Sequence, residues 1–250
     1  MRALVISDIH ANLQALEAVL QAAPPWDEVW NLGDIVGYGA NPNEVAQKAQ
    51  SLGGVIVRGN HDRACAGLAD LEDFSEAAAE AARWTQSILT AGNRNWLANL
   101  PRGPLQRPGL PLQLVHGSPF DEDEYVTSRE RAHAVLTASA AKIILFGHTH
   151  IQGGFATNGE EGFRLVPYFS SASEADWFEL PVRRGAQYLL NPGSVGQPRD
   201  SDWRAAFGLF DDAQDVFTWH RAPYDVSEAQ RRIRRAGLPD FLAARLVTGQ

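Results

Sequence analysis

Leu145–Gly154 reads LFGHTHIQGG, two histidines one residue apart directly after the apolar run IILF. In an extended chain, residues i and i+2 point to the same side, so His148 and His150 are expected to face one target together. The same design recurs upstream. ALVIS (3–7) reads as a buried strand ending in SDIH, with Asp8 and His10. EVWNL (28–32) runs into GDIVGYG, with Asp34. GVIVRGNHD follows the same strand-then-loop rule and brings Asn60, His61 and Asp62, while PLQLVHG ends in His116. Five of the seven histidines fall in these clusters; only His133 and His220 lie elsewhere. Turn preference explains Gly, Asn and Asp at strand ends, but it does not explain histidine there. Ligands in open α/β sheets bind outside the carboxyl ends of strands, so the five clusters are expected to meet at one edge.

Helical patterns separate these runs. Asn12 is placed to cap NLQALEAVL, with Leu13, Leu16 and Leu20 at helical spacing. NPNE (41–44) predicts a helix start with Asn41 as cap, Pro42 in the first position and Glu44 closing a capping box. The Ala-rich segment from Phe74 to Leu100 predicts helix with a break at Gly92-Asn93, and another helix is expected over 128–140. In the second half, IQGGFATN, GFRLVPY, GAQYLLNPG, AAFGLFDD and AQDVFTWH read as consecutive strands joined by turns. Two short helices, one starting at DVSE (225–228) and one around FLAARLV, finish the chain. Phe169–Gly185 has no clear period and is expected to be a long loop. Without a repeat, a linker or a composition break, one domain over 1–250 is expected.

Composition narrows the function classes. The 250 residues carry a formal charge of −8 and a pI near 5.3, which argues against a broad basic surface for duplex nucleic acid or anionic lipid. A single cysteine, Cys65, excludes an internal disulfide and a thiolate-built zinc site; a plain buried thiol is expected there. With no apolar run near the roughly 18 residues of a membrane span and no signal pattern at the start, a cytoplasmic protein without membrane contact is expected. The seven tryptophans leave room for an aromatic contact surface and a homo-oligomer.

D-x-H, GD, GNHD, a lone His-Gly and GHTH, in that order over residues 8–150, resemble the signature of calcineurin-like metallophosphoesterases, most closely their small bacterial and archaeal phosphodiesterase branch. NPGSVGQPRD (191–200) is similar to a later stretch of that branch. The resemblance implies an α/β fold, a four-layer αββα sandwich with two mixed β-sheets, and a dinuclear metal centre at a sheet edge. By the same resemblance Asp8, His10 and His150 hold the first metal, Asn60, His116 and His148 the second, and Asp34 bridges the two. Imidazole, carboxylate and one amide oxygen, without thiolate, suit manganese, iron or zinc. Two divalent ions less Asp8, Asp34 and one hydroxide leave an excess of about one positive charge, which attracts a phosphodiester even to an acidic protein.

The implied reaction is hydrolysis of a phosphate diester by a metal-bridging hydroxide, with His61 assisting the leaving group. Asp62 is expected to orient its loop. In the protein phosphatase branch the bridging motif continues as GDxxDR; here Gly37 and Tyr38 stand at the Asp and Arg positions. Without that bidentate arginine a phosphomonoester dianion is disfavoured, so a small phosphodiester or nucleotide-type substrate is expected. Tyr38 and Arg199 are candidate substrate contacts. A phosphomonoesterase and an idle interaction scaffold are the alternatives, the scaffold weakened by the complete ligand set.

Overall fold

The computed structural model describes residues 1–183 and 185–250. In chain order its strands are β1 (Arg2–Ile6), β2 (Glu28–Asn31), β3 (Val55–Ile56), β4 (Leu105–Gln106), β5 (Leu112–Leu114), β6 (Ile143–Leu145), β7 (Gly153–Thr157), β8 (Gly162–Leu165), β9 (Asp176–Pro181), β10 (Gln187–Asn191), β11 (Ala205–Asp211) and β12 (Val216–Ala222). They form two six-stranded sheets, β3-β2-β1-β11-β12-β9 and β4-β5-β6-β10-β7-β8. Each sheet is mixed. β1, β2 and β3 are mutually parallel, as are β5, β6 and β10, and the remaining pairs are antiparallel.

Burial on both strand faces builds the layers. Along β1, Leu4 and Ile6 pack toward the outer helices, while Ala3 and Val5 face the other sheet. Along β6, Ile144 packs outward and Ile143 and Leu145 inward. The inner core joins Trp30, Phe210, Phe217 and Trp219 of the first sheet to Leu112, Leu114, Tyr188 and Leu190 of the second. Such runs are what parallel strands covered on both faces require. One outer face carries α1 (Leu13–Ala22), α2 (Pro42–Leu52) and α5 (Ala91–Ala98); the other carries α6 (Arg129–Ala138). The expected αββα sandwich is the observed one. No helix of the described residues is long and apolar enough to cross a membrane.

Local expectations fare unevenly. Asn12 caps α1, accepting from the Ala15 amide at 3.1 Å. Pro42 opens α2, but Asn41 makes no side-chain cap and instead donates to Glu44 at 3.3 Å. The break in the Ala-rich segment lies at Leu89-Thr90, between α4 (Glu76–Ile88) and α5, because the Thr90 hydroxyl caps the Asn93 amide at 3.2 Å; Gly92-Asn93 is already helical. GNHD is not a loop: Asn60 begins α3 (Asn60–Cys65). Phe169–Gly185 is not one long loop either, since β9 lies within it and pairs with β12. Nor do the late strands form one succession of hairpins: β10 lies between β6 and β7 in the second sheet, and β9, β11 and β12 complete the first. Asp225 caps α7 (Val226–Arg235), and α8 (Asp240–Ala244) runs into a 3₁₀ turn, Arg245–Val247. Cys65 is a buried thiol that burial pushes well above its ordinary range.

Candidate metal centre

The parallel strands of both sheets deliver the site. Asp8 and His10 follow β1, Asp34 follows β2 and Asn60 follows β3; His116 follows β5, while His148 and His150 follow β6. Asp8, His10, Asp34 and His150 form one group of converging ligand atoms, and Asp34, His116 and His148 form another, each with its atoms within 4.8 Å of one another. The Asn60 Oδ1 lies 3.2 Å from His116 Nε2, which adds it to the second group. Asp34 is common to both, its Oδ2 being 3.6 Å from His10 Nε2 and 3.4 Å from His116 Nε2. All seven residues singled out in the sequence therefore meet at one place.

The imidazoles are oriented from behind. His10 Nδ1 donates to the Val36 carbonyl (3.2 Å), His116 Nδ1 to that of Leu32 (2.8 Å), His150 Nδ1 to that of Gln197 (2.6 Å) and His148 Nε2 to that of Asp123 (3.1 Å). A carbonyl oxygen only accepts, so each of these nitrogens carries the proton. The neutral ring's other nitrogen then presents a lone pair inward. Yet His10 Nε2 and His150 Nε2 stand 3.1 Å apart, and His148 Nδ1 stands 3.1 Å from His116 Nε2. Lone pairs aimed at one another and at two carboxylates are unfavourable unless a cation sits among them. Metal-bound histidines almost always donate their second N–H in this way.

Protonation follows the same logic. Burial chiefly drives His148 down to about 3, with the neighbouring His116 adding to it. It also drives His10 well below its ordinary value, against the pull of Asp34. His116 alone rises, to about 10: burial opposes protonation, but Asp34 and Asp8 outweigh it. The buried carboxylates thus favour positive charge among the inner ring nitrogens, which is what a cation held by their lone pairs would bring.

Backbone strain concentrates here. Asp8, His10, Asp34, His148 and His150 all have φ between 49° and 64°, a left-handed conformation uncommon for residues with side chains and found most often at functional sites. The extended-chain expectation for His148 and His150 is thus corrected. Gly147–Ile151 is not a strand, and the two rings join different ligand groups through left-handed turns. Two glycines make room. A Cβ on Gly59 would lie 2.1 Å from Asp34 Oδ1, and one on Gly147 would lie 2.0 Å from Ser7 Oγ and 2.9 Å from Asp8 Oδ2. Asp62 ties the loops together, its carboxylate accepting from the amides of Asp34 (2.9 Å), Ile35 (2.8 Å), Val36 (3.2 Å) and Gly59 (3.0 Å). It orients, as expected.

A cleft of about 600 Å³ opens onto the site. Asn60, His61 and His148 line it, together with the two candidate substrate contacts, Tyr38 and Arg199. Among the described residues, His61 has no carboxylate partner for its ring. Its ring packs against Tyr38 (centroids 4.4 Å apart), Phe74 (5.0 Å) and His10 (4.9 Å), and its amide donates to Asp34 Oδ1 at 2.9 Å. A Cβ on Gly37 would stand 2.6 Å from His61 Nδ1, so the residue that replaces the family's aspartate leaves space for the ring. Burial drives His61 down to about 4, against Asp34 and with help from His150 and Arg199.

Sequence reasoning missed several contributors. Tyr125, 55% exposed, covers His148 with ring centroids 3.8 Å apart. Asp123 and Gln197 act through main-chain carbonyls, which no side-chain motif announces. Arg63 pairs with Asp123 (2.8 Å) and, like Arg58, with the buried Glu122, steadying the segment whose carbonyl aims His148. Only the Gly-Gln-Pro turn in NPGSVGQPRD carried a signal, and only by resemblance. His133 bonds to Thr157 and His220 stacks on Phe207, both outside the site.

Two mixed sheets with their parallel strand ends converging on paired Asp/His groups define a metallophosphoesterase architecture. Residues 1–212 match the model of the calcineurin-like phosphoesterase superfamily domain, and the chain belongs to that family. It is 34% identical, over 98% of its length and 97% of the relative's, to an uncharacterized protein of Methanocaldococcus jannaschii. It superposes on a metallophosphoesterase from Sphaerobacter thermophilus with TM-score 0.84 and 36% identity, covering 100% of this chain and 99% of the other. A symmetrical bis(5'-nucleosyl)-tetraphosphatase of Tolumonas auensis is 30% identical over 58% of this chain and 54% of its own.

Proposed function

We propose that the protein is a metal-dependent phosphodiesterase, with Asp8, His10, Asp34 and His150 holding one ion and Asp34, Asn60, His116 and His148 a second. The observation that carries this reading is the inward convergence of imidazole lone pairs whose outer nitrogens are tied to main-chain carbonyls. Two divalent ions of the manganese, iron or zinc kind supply an acidified water and neutralise phosphoryl charge when bound. The protein's own groups do the rest. Asn60 contributes a neutral oxygen, which keeps the local charge positive enough to receive an anionic ester. His61 presents an N–H to a phosphoryl or leaving oxygen from a ring held by Tyr38 and Phe74. Tyr38 and Arg199 line the approach to the attacked group.

Gly37 and Tyr38, standing where the family's monoester-directed branch has Asp and Arg, favour a diester of single negative charge. The name of the Tolumonas relative describes a nucleotide substrate, which agrees with a nucleotide-type ester for this chain. The test is hydrolysis of bis-p-nitrophenyl phosphate and p-nitrophenyl phosphate with Mn²⁺. The diester should turn over faster, and His61→Ala should slow it by roughly 10²–10⁴-fold. Turnover without metal, or an unchanged rate in His61→Ala, would overturn the mechanism. Faster monoester cleavage would reverse the substrate assignment.

A further inference from the structure

Beside the ligand groups, Gln197 does two things at once. Its carbonyl receives the His150 Nδ1 proton, and its buried side-chain oxygen accepts from Arg199 Nη2 at 2.9 Å and Arg245 Nη1 at 3.1 Å. Two guanidinium groups thus share one neutral amide oxygen. Like charges brought to one partner repel, and an anion bound between them relieves that repulsion.

Their remaining partners offset only part of the charge. Arg199 Nη2 also reaches the Tyr38 hydroxyl at 3.4 Å, and its Nε is buried without a hydrogen-bond partner. Arg245 Nε donates to a terminal oxygen of Gln250, a carboxylate that offsets part of its charge, and its guanidinium carbon lies 5.0 Å from the Phe241 ring. Among the described residues, no Asp or Glu side chain pairs with either arginine. Arg204 and Arg221, by contrast, are held by Asp202 and Asp200. Both guanidinium groups line the cleft that holds His61, Asn60 and His148. Tyr38 connects the two places: its ring is 4.6 Å from His10 and 4.4 Å from His61, and the Arg199 guanidinium carbon is 5.7 Å from it. Burial and the neighbouring Arg199 push Arg245 down to about 10, the direction expected of a cation crowded by another cation. Asp70, Asp73 and Asp123 also line the cleft, the first two from the segment between α3 and α4 and the third paired with Arg63 at 2.8 Å.

We propose that Arg199 and Arg245 form a subsite for a second phosphate of the substrate, linked to the one that is hydrolysed. The inference rests on the phosphoesterase reading and narrows it to esters that carry a neighbouring phosphate. A simple diester fills only the metal side of the cleft. A chain of linked phosphates reaches from there to the arginines and satisfies both guanidinium groups in charge-assisted hydrogen bonds.

The experiment compares two nucleotides that differ by one phosphate, AMP and non-hydrolysable adenosine α,β-methylene diphosphate. Binding is measured calorimetrically on Mn²⁺-loaded protein with the metal in excess. The parent should prefer the diphosphate by about 10–100-fold, the equivalent of one or two charge-assisted hydrogen bonds. Arg245→Gln and Arg199→Gln should each reduce the preference to within about threefold, while Arg245→Lys should keep part of it. Melting curves establish that each variant is folded. Equal binding of the two nucleotides by the parent, no binding of the diphosphate, or a full preference in both Gln variants would overturn the subsite. A parent protein that shows the preference but does not hydrolyse bis-p-nitrophenyl phosphate with Mn²⁺ would instead overturn the phosphodiesterase reading and leave the subsite standing.

Discussion

The two ligand groups share Asp34 but live in different surroundings. Asp8, His10, Asp34 and His150 are at most 2% exposed and bring two carboxylates. Asn60, His116 and His148 add only a neutral amide and two imidazoles to the shared Asp34. Asn60 is half-buried, and both Asn60 and His148 line the open cleft, with Tyr125 as a half-exposed cover over His148. One group is closed and more negative; the other is open and closer to neutral. The difference suits a division of labour in which the closed group retains its ion and the open group meets the incoming ester. Charge count and rigidity set the affinity of an ion site, so the two should also bind unequally.

Asp34→Asn attacks what the groups have in common and should have the largest effect. Loss of an outer partner alone costs about 10–100-fold in metal affinity, so weakening both sites through a shared ligand should lower activity by about 10³-fold or more. Elemental analysis should show metal content falling below two ions per chain; two ions and parental turnover would remove Asp34 from its bridging position.

Asp62→Ala comes next. It leaves four buried amides around Asp34 and Gly59 without an acceptor, and chemical denaturation should register a loss of about 3–5 kcal/mol. A loss below about 1 kcal/mol would mean that these loops hold their shape without it.

Stepwise chelation sharpens the comparison directly. The ion of the Asn60 side should leave at about tenfold lower chelator concentration than the other. His148→Ala should abolish only this early step, and His10→Ala only the late one. Simultaneous release from the parent, or the reverse order, would break the asymmetry.

The smallest effect is expected far from both groups, on the exposed edge strand β9. Trp177→Ser should change stability by no more than about 0.5 kcal/mol and leave metal content at the parental value. A larger change would show that this face is buried in an assembly.

Much of this site was legible in the sequence for a definite reason. A parallel strand covered on both faces is an unbroken apolar run, so its end is sharp, and a histidine at that end stands out against ordinary turn residues. His10, His116, His148 and His150 stand out this way, whereas Asp8, Asp34 and Asn60 are ordinary turn residues in themselves and gain their place from the motif resemblance. β9 is not legible because Trp177 and Pro181 lie on its exposed face and hide the apolar/polar alternation, and its partner β12 lies some forty positions downstream. The break after Ile88 was misplaced because glycine is a weaker helix stop than a threonine hydroxyl capping the next helix.

By itself, then, the sequence determined which side chains are candidates for the chemistry and that strand ends present them, because residue type and hydrophobic period are local properties. Only the tertiary structure decided how closely the two groups of side chains converge, which of them faces the cleft, what packs around His61 in place of a carboxylate, and that Arg199 meets Arg245 at Gln197. Those are distances between segments far apart in the chain, set by sheet order and by left-handed turns. No local pattern encodes them.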